Sequence, residues 1–169
     1  MKFDANTYFT VLAFIFPFAI LAIDWFVQYT GIKSRKLKRE EYNESFNKVI
    51  DNLSSDNPSA QLSAAVLLRR FFAVKVGGNK FLKTETVNVI SSILRTVPIG
   101  IYQKTLADGL AFAGDLTNAD LQRTNLQNAR IENKTEKVIL DKADLFMSNL
   151  SYALIKNVKA HEIVLYNAF

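Results

Sequence analysis

The last third of the chain repeats with a period of five residues. From Gly114 it reads GDLTN, ADLQR, TNLQN and ARIEN, and after a four-residue interruption it resumes as VILDK, ADLFM, SNLSY, ALIKN, VKAHE and IVLYN. An α-helix turns about every 3.6 residues, so a leucine at every fifth position would spiral around it. The period therefore excludes a helix and indicates a repeat architecture whose inward residues are Leu116, Leu121, Leu126, Ile131, Leu140, Leu145, Leu150, Ile155 and Leu165.

Most units have a small first residue, and half of them have an Asp or Asn at the second position, as in ADLQR and SNLSY. This pattern resembles the pentapeptide-repeat family, whose units read A-(D/N)-L-x-x. The resemblance implies a right-handed quadrilateral β-helix with four units per coil and the central residue pointing inward. The segment DNLSSDNPSAQLSAAVLLRRF is similar to the helical region that precedes the repeats in many bacterial members, so we expect helices to cap one end of the repeats.

The N-terminal segment from Tyr8 to Val27 is almost entirely apolar. As a helix it is long enough to cross a hydrocarbon core about 30 Å thick, and it predicts a single transmembrane anchor. Tyr8 and Trp25 fall where aromatic rings favour the membrane interface, Pro17 would kink the helix, and Asp24 lies near the end, where it can reach headgroup water. A cleaved signal peptide and a buried soluble helix are the alternatives.

Five basic residues follow the apolar segment directly, and they account for most of the net charge of +5: Lys33, Arg35, Lys36, Lys38 and Arg39. The positive-inside rule then predicts a single-pass protein of the cell membrane with its C-terminal body in the cytoplasm. The cluster should also attract anionic headgroups. Nucleic acid is the weaker alternative and is not expected as a partner.

Residues between the basic cluster and the repeats read as short helices. Phe46, Val49 and Leu53 lie at three- and four-residue spacing, and Asn57-Pro58 is a start signal for the next helix. A third helix should begin near Thr84 or Thr86 and a fourth should span 101–113. We therefore expect a mixed fold: a transmembrane anchor (1–30), a basic juxtamembrane segment (31–40), a HEAT-like helical segment (41–113) and a pentapeptide-repeat β-solenoid (114–169).

The outward positions become apolar and aromatic towards the end of the repeats. Phe146, Met147, Tyr152 and Tyr166 form a candidate partner surface, and four units per coil predict that Phe146 and Tyr166 stack. The alternative is that these side chains pack against the helical segment. The last units show no capping sequence, so the sequence also favours a homo-oligomer formed through that end.

Catalytic chemistry has no readable signal in this chain. It contains no Cys and one His, and no nucleophile–base pair, phosphate loop or metal-ligand cluster has recognisable spacing. We therefore expect no enzyme activity, cofactor or metal. The sequence favours a membrane-anchored scaffold or adaptor with an unidentified protein partner. The alternative is a subunit of an oligomeric membrane assembly, a pore or effector, bundled through its single helix.

Overall fold

The computed structural model describes the backbone of residues 5–76, 79–80 and 82–169 and the side chains of residues 25–75 and 82–169. The chain divides into two compact units, the first ending at Tyr42 and the second spanning Asn43–Phe169. The described helices are α1 (Ala5–Leu53), α2 (Pro58–Leu68), α3 (Lys83–Leu94) and α4 (Ile101–Gly109). The described strands are two-residue segments: β1 (Lys75–Val76), β2 (Asn79–Lys80), β3 (Arg130–Ile131), β4 (Val138–Ile139), β5 (Leu154–Ile155) and β6 (Val158–Lys159).

The predicted transmembrane anchor is corrected by the structure. Within the described residues, no helix is both long enough and apolar enough to cross a membrane. Where the side chains of α1 are described, from Trp25 onward, five basic residues interrupt it between positions 33 and 39, whereas a span needs about 20 predominantly apolar residues. The single-pass topology and the cell-membrane location with a cytoplasmic body are therefore not retained. Tyr8, Pro17 and Asp24 lie outside the described side chains.

The helices of the second unit lie close to the predicted positions. On the last turns of α1 the buried Phe46 packs edge-to-face on Phe71, with ring centroids 5.0 Å apart. The Asn57 side chain accepts the Ser59 N–H at 2.9 Å, and Pro58 occupies the first helical position, as the start signal predicted.

Helices α3 and α4 differ from their predicted ends. Helix α3 begins after Leu82, whose backbone is left-handed (φ 92°), and no side chain caps it. Thr86 is not an N-cap, since its buried hydroxyl donates to the Leu82 carbonyl at 2.6 Å inside the first turn. The predicted fourth helix is α4 followed by a 3-10 turn over Leu110–Ala113.

The repeat segment consists of five-residue turns in three layers. We call residues 114–131 the near layer, 138–155 the middle layer and 158–169 the far layer. Strand β3 pairs in parallel with β5 and β4 with β6, and isolated parallel bridges join the layers elsewhere. The last residue has positive φ in nine of the ten five-residue units, Asn133 being the exception: Asn118, Arg123, Asn128, Lys142, Met147, Tyr152, Asn157, Glu162 and Asn167.

The predicted right-handed quadrilateral β-helix, and with it the β-solenoid, is wrong. The described residues contain two-residue parallel pairs and isolated bridges, and they form no closed or solenoid sheet. The left-handed residue that closes each turn gives the physical reason, because a strand cannot continue through it. Helices therefore supply most of the regular structure of the described chain.

Candidate functional site: two exposed surfaces of the repeat layers

The inward residues of the repeats are buried in the near layer and progressively exposed towards the far layer. Leu116, Leu121, Leu126, Ile131, Leu140 and Leu145 are fully buried. Leu150 is half-buried, while Ile155 is 37% and Leu165 49% exposed. The third-position side chains are thus buried in the near layer and in the first half of the middle layer, and the same position is exposed to solvent at Ile155 and Leu165.

The backbone of the far layer is open at the same end. In the middle layer the N–H groups of Leu140, Lys142, Leu145 and Met147 donate to far-layer carbonyls at 2.7–3.1 Å. The far layer has four N–H groups at the equivalent positions, and these have no acceptor within the described chain: those of Ala160, Glu162, Leu165 and Asn167. We call these four N–H groups, with the exposed Ile155 and Leu165, the far edge. It has the unsatisfied donors and apolar floor of an unpaired sheet edge.

The opposite edge, in the near layer, is closed by α3 and α4. The Arg95 guanidinium donates to the Gln122 carbonyl at 3.0 Å, and the Gln103 amide donates to the carbonyls of Asn125 and Gln127 at 2.7 and 3.1 Å. Arg95 also pairs with the Asp120 carboxylate at 2.8 Å. The expected helical cap is therefore present, and sequence reasoning missed Arg95 and Gln103, the residues that make it.

A second link between helix and near layer is the ion pair of Lys83 and Asp115, with an N–O distance of 3.2 Å. Asp115 accepts the hydroxyl and the backbone N–H of Thr117 at 2.6 and 3.0 Å. These hydrogen bonds, and after them the Lys83 ammonium, lower the pKa of Asp115 to about 2. The arrangement fixes the start of the repeats on α3.

The candidate partner surface consists of Phe146, Met147, Tyr152 and Tyr166, which we call the aromatic patch. Phe146 and Tyr166 stack with ring centroids 5.9 Å apart and an interplanar angle of 8°, as predicted from the repeat. Tyr152 is 86% and Tyr166 70% exposed, so these two rings do not pack against the helical segment.

The surroundings of the aromatic patch include charges of both signs, since the exposed Arg123 lies in register with Met147 one layer away and Asp144 precedes Phe146 by two residues. The neighbouring outward positions include Gln122, Asn149 and Ser151, and the Asp144 carboxylate accepts the Gln122 amide at 2.7 Å. Ion pairs lie elsewhere on the layers, as in Lys159–Asp141 and Arg130–Glu132. The patch itself is therefore apolar, and the charges beside it, Arg123 and Asp144, are of opposite sign.

The predicted basic cluster lies on the first unit, and its five residues are exposed on α1. Trp25 is exposed and stacks on Tyr29, with ring centroids 5.4 Å apart. Lys36 approaches Glu40 at 4.0 Å. No group of three or more His, Asp or Glu side chains positioned for a metal ion occurs among the described residues.

No protein-family model, curated protein or solved structure matches the chain. The resemblance of its repeats to the pentapeptide-repeat family therefore stays a prediction.

Proposed function

We propose that this protein is a scaffold or adaptor whose aromatic patch binds a neutral, apolar segment of another protein. The observation that carries the proposal is the combination of exposure and backbone strain at Met147 and Tyr152. Both residues have left-handed backbones, with φ of 56° and 58°. This conformation costs roughly 1–2 kcal/mol for a residue other than Gly, Asn or Asp.

Asparagine, which tolerates this conformation, occupies the equivalent position in other turns, including Asn128 and Asn157. The left-handed backbone of Met147 and Tyr152 closes a turn, as it does in the other repeats. Their side chains make no hydrogen bond, ion pair or ring contact within the described chain, and Tyr152 is 86% exposed, so this apolar surface has no such internal role and is a candidate for function.

The composition of the patch indicates the chemistry of the partner. The centres of protein interfaces are enriched in aromatic residues and Met and depleted of charge. The patch matches that composition, and the opposite charges of Arg123 and Asp144 beside it leave no net charge that would favour an acidic or a basic partner segment over an apolar one.

Variants that relieve the strain and remove the apolar side chain test this proposal. Met147→Asn and Tyr152→Asn should keep or raise stability, yet weaken binding of the partner at least tenfold. The partner would first be identified by placing a photo-crosslinking residue at position 152 or, for comparison, at position 142, and binding would then be measured with the purified proteins. Lys142→Asn is the matched control, because Lys142 is also left-handed and exposed but outside the patch.

Two results would contradict the proposal. One is equal crosslinking from positions 152 and 142. The other is unchanged affinity of both patch variants for a partner captured from position 152. Because the interface is expected to be neutral, the affinity should change little between low and high salt.

A further inference from the structure

Outward residues at the fourth position of the units align across the three layers, and the column that contains the stacked rings also contains one glutamine. Asp144 of the middle layer forms parallel bridges to both neighbouring layers, and these bridges set the register. Two residues further along each layer, the same register aligns Gln122 of the near layer with Phe146 and Tyr166. Phe146 therefore has the tyrosine ring on one side of it in the column and the glutamine on the other.

The Gln122 side chain is joined to the turn of Phe146 through one carboxylate. Its amide Nε2 donates to Oδ2 of Asp144 at 2.7 Å, and Oδ1 of the same carboxylate accepts the backbone N–H of Phe146 at 2.9 Å. Gln122 and Asp144 are both half-buried, so this hydrogen bond to a charged acceptor is partly shielded from water. The carboxylate therefore connects the near layer to the turn that carries the Phe146 ring.

Gln122 is itself held from the side of helix α3. Its backbone N–H donates to Oδ1 of Asp120 at 3.1 Å, and its carbonyl accepts Nε of Arg95 at 3.0 Å. The Arg95 guanidinium also pairs with Oδ2 of Asp120 at 2.8 Å. Both backbone groups of Gln122 are thus fixed, and its side chain extends the connection from α3 to the aromatic patch.

Closing the turn does not by itself require the second oxygen of Asp144. Asn149 occupies the same unit position in the following turn, and its side-chain oxygen accepts the Ser151 N–H at 3.0 Å. Within the described chain, no side-chain donor from the near layer reaches Asn149. One acceptor is therefore enough for the turn, and the hydrogen bond from Gln122 is an addition made beside Phe146.

We propose that Gln122 is a positioning residue for the aromatic patch. Through Asp144 it holds the turn that carries Phe146, so that the Phe146 ring stays stacked on Tyr166 before a partner binds. This role rests on the proposed function of the patch. Side chains that are fixed before association lose less conformational freedom on binding, so the hydrogen bond raises the affinity for the partner. Position 122 needs a donor for this role, because a carboxylate only accepts hydrogen bonds.

Exchanging the donor and the acceptor tests this role in the full chain. Gln122→Glu keeps the shape of the side chain but sets two carboxylates against each other. Adding Asp144→Asn restores a donor and an acceptor in the opposite sense, and it keeps an acceptor for the Phe146 N–H, as Asn149 does in its own turn. Gln127→Glu is the matched control, because Gln127 has the same unit position in the next turn and lies outside the patch.

Two readouts of the patch are needed, one of them independent of any partner. Hydrogen exchange of the Phe146 amide and the contact between the Phe146 and Tyr166 rings, both followed by NMR, report the positioning, and protection of the near-layer amides reports that each variant is folded. We expect Gln122→Glu to accelerate exchange at Phe146 about tenfold, to weaken the ring contact and to weaken binding of the partner captured from position 152. The double variant should restore all three, and Gln127→Glu should change none of them.

Unchanged exchange and ring contact in Gln122→Glu would overturn the positioning role. A loss that the double variant does not restore would overturn it too, because the hydrogen bond would then not be the cause. A Phe146 turn that loosens and recovers as expected while the affinity stays constant would instead refute the proposed function of the patch. If Gln122→Glu does not fold, Gln122→Met removes the donor without adding a charge: faster exchange at Phe146 then supports the role, and unchanged exchange refutes it.

Discussion

Replacing single leucines of the inward series should show where the repeat layers are closed and where they are open. Leu121 is 0% exposed in the near layer, whereas Leu165 is 49% exposed in the far layer. Truncation of a fully buried leucine to alanine removes its transfer free energy and leaves a cavity, at a cost of about 2–5 kcal/mol. We expect about 3 kcal/mol for Leu121→Ala.

The same change at Leu165 should cost much less. Burial of a whole leucine contributes about 1.5–3 kcal/mol, and roughly half of this side chain is already in solvent. The space that it vacates opens to water instead of forming a cavity, so we expect less than about 1 kcal/mol for Leu165→Ala. Leu145→Ala, in the buried middle layer, is the control and should resemble Leu121→Ala.

Urea unfolding followed by circular dichroism measures these differences in the free energy of unfolding. Equal losses of stability at Leu121 and Leu165 would refute the gradient of burial. A loss below about 1 kcal/mol at Leu121 would show that the near layer is not part of the cooperative core.

Three further predictions concern acid stability, the interruption of the repeat and the strained turns. The pKa of Asp115 is lowered from 3.8 to about 2, so the stability that its carboxylate contributes is present above pH ~4 and is lost as the pH falls towards 2. After allowance for the exposure of the carboxylate, this contribution is about 1 kcal/mol. Acid unfolding of Asp115→Asn and of the natural chain should therefore differ by that amount above pH ~4 and converge as the pH approaches 2. Asn157→Gly keeps a residue that tolerates the left-handed backbone but removes the amide that donates to the Asn133 carbonyl at 3.0 Å, so hydrogen exchange around residues 133–136 should accelerate while the near layer keeps its protection; unchanged exchange there would contradict the role of the amide. Tyr152→Asn should stabilise the chain by about 0.5–1 kcal/mol, and a destabilised variant would refute the argument from backbone strain.

The burial of the inward residues from Leu116 to Leu145 could be predicted from the sequence, whereas the exposure of Ile155 and Leu165 and the sheet structure could not. The five-residue period predicted that Leu121 and Leu145 are buried, because the third position of the units is the one that regularly holds a large aliphatic residue. The prediction of a β-helix came from the family resemblance and was wrong, since the residue closing each turn is left-handed even where it is Lys142 or Glu162. Lysine and glutamate do not indicate a positive φ in a sequence, whereas asparagine, as at position 118, does.

Helix positions were predicted where local chemistry determines them. Asn57-Pro58 specifies the start of α2 because the amide accepts backbone donors and proline suits the first turn. The start of α3 could not be predicted, because the left-handed Leu82 is held there by tertiary packing and carries no capping side chain. The membrane anchor was predicted from the length of the apolar segment, its flanking aromatic residues and the basic cluster, and no described helix is long and apolar enough to cross a membrane.

The cap was expected from the sequence, but its residues were not, although Gln103 carried a signal. Gln103, Leu106 and Leu110 lie three and four residues apart, on one face of α4 and its 3-10 extension. A glutamine in an otherwise aliphatic stripe is either exposed, which would leave the stripe incomplete, or buried with polar partners. Beside a repeat whose first layer lacks a preceding one, the available partners are that layer's unsatisfied carbonyls. A polar residue inside the apolar face of a helix that flanks repeats is therefore the pattern to look for when the closed end of such a stack has to be located from sequence.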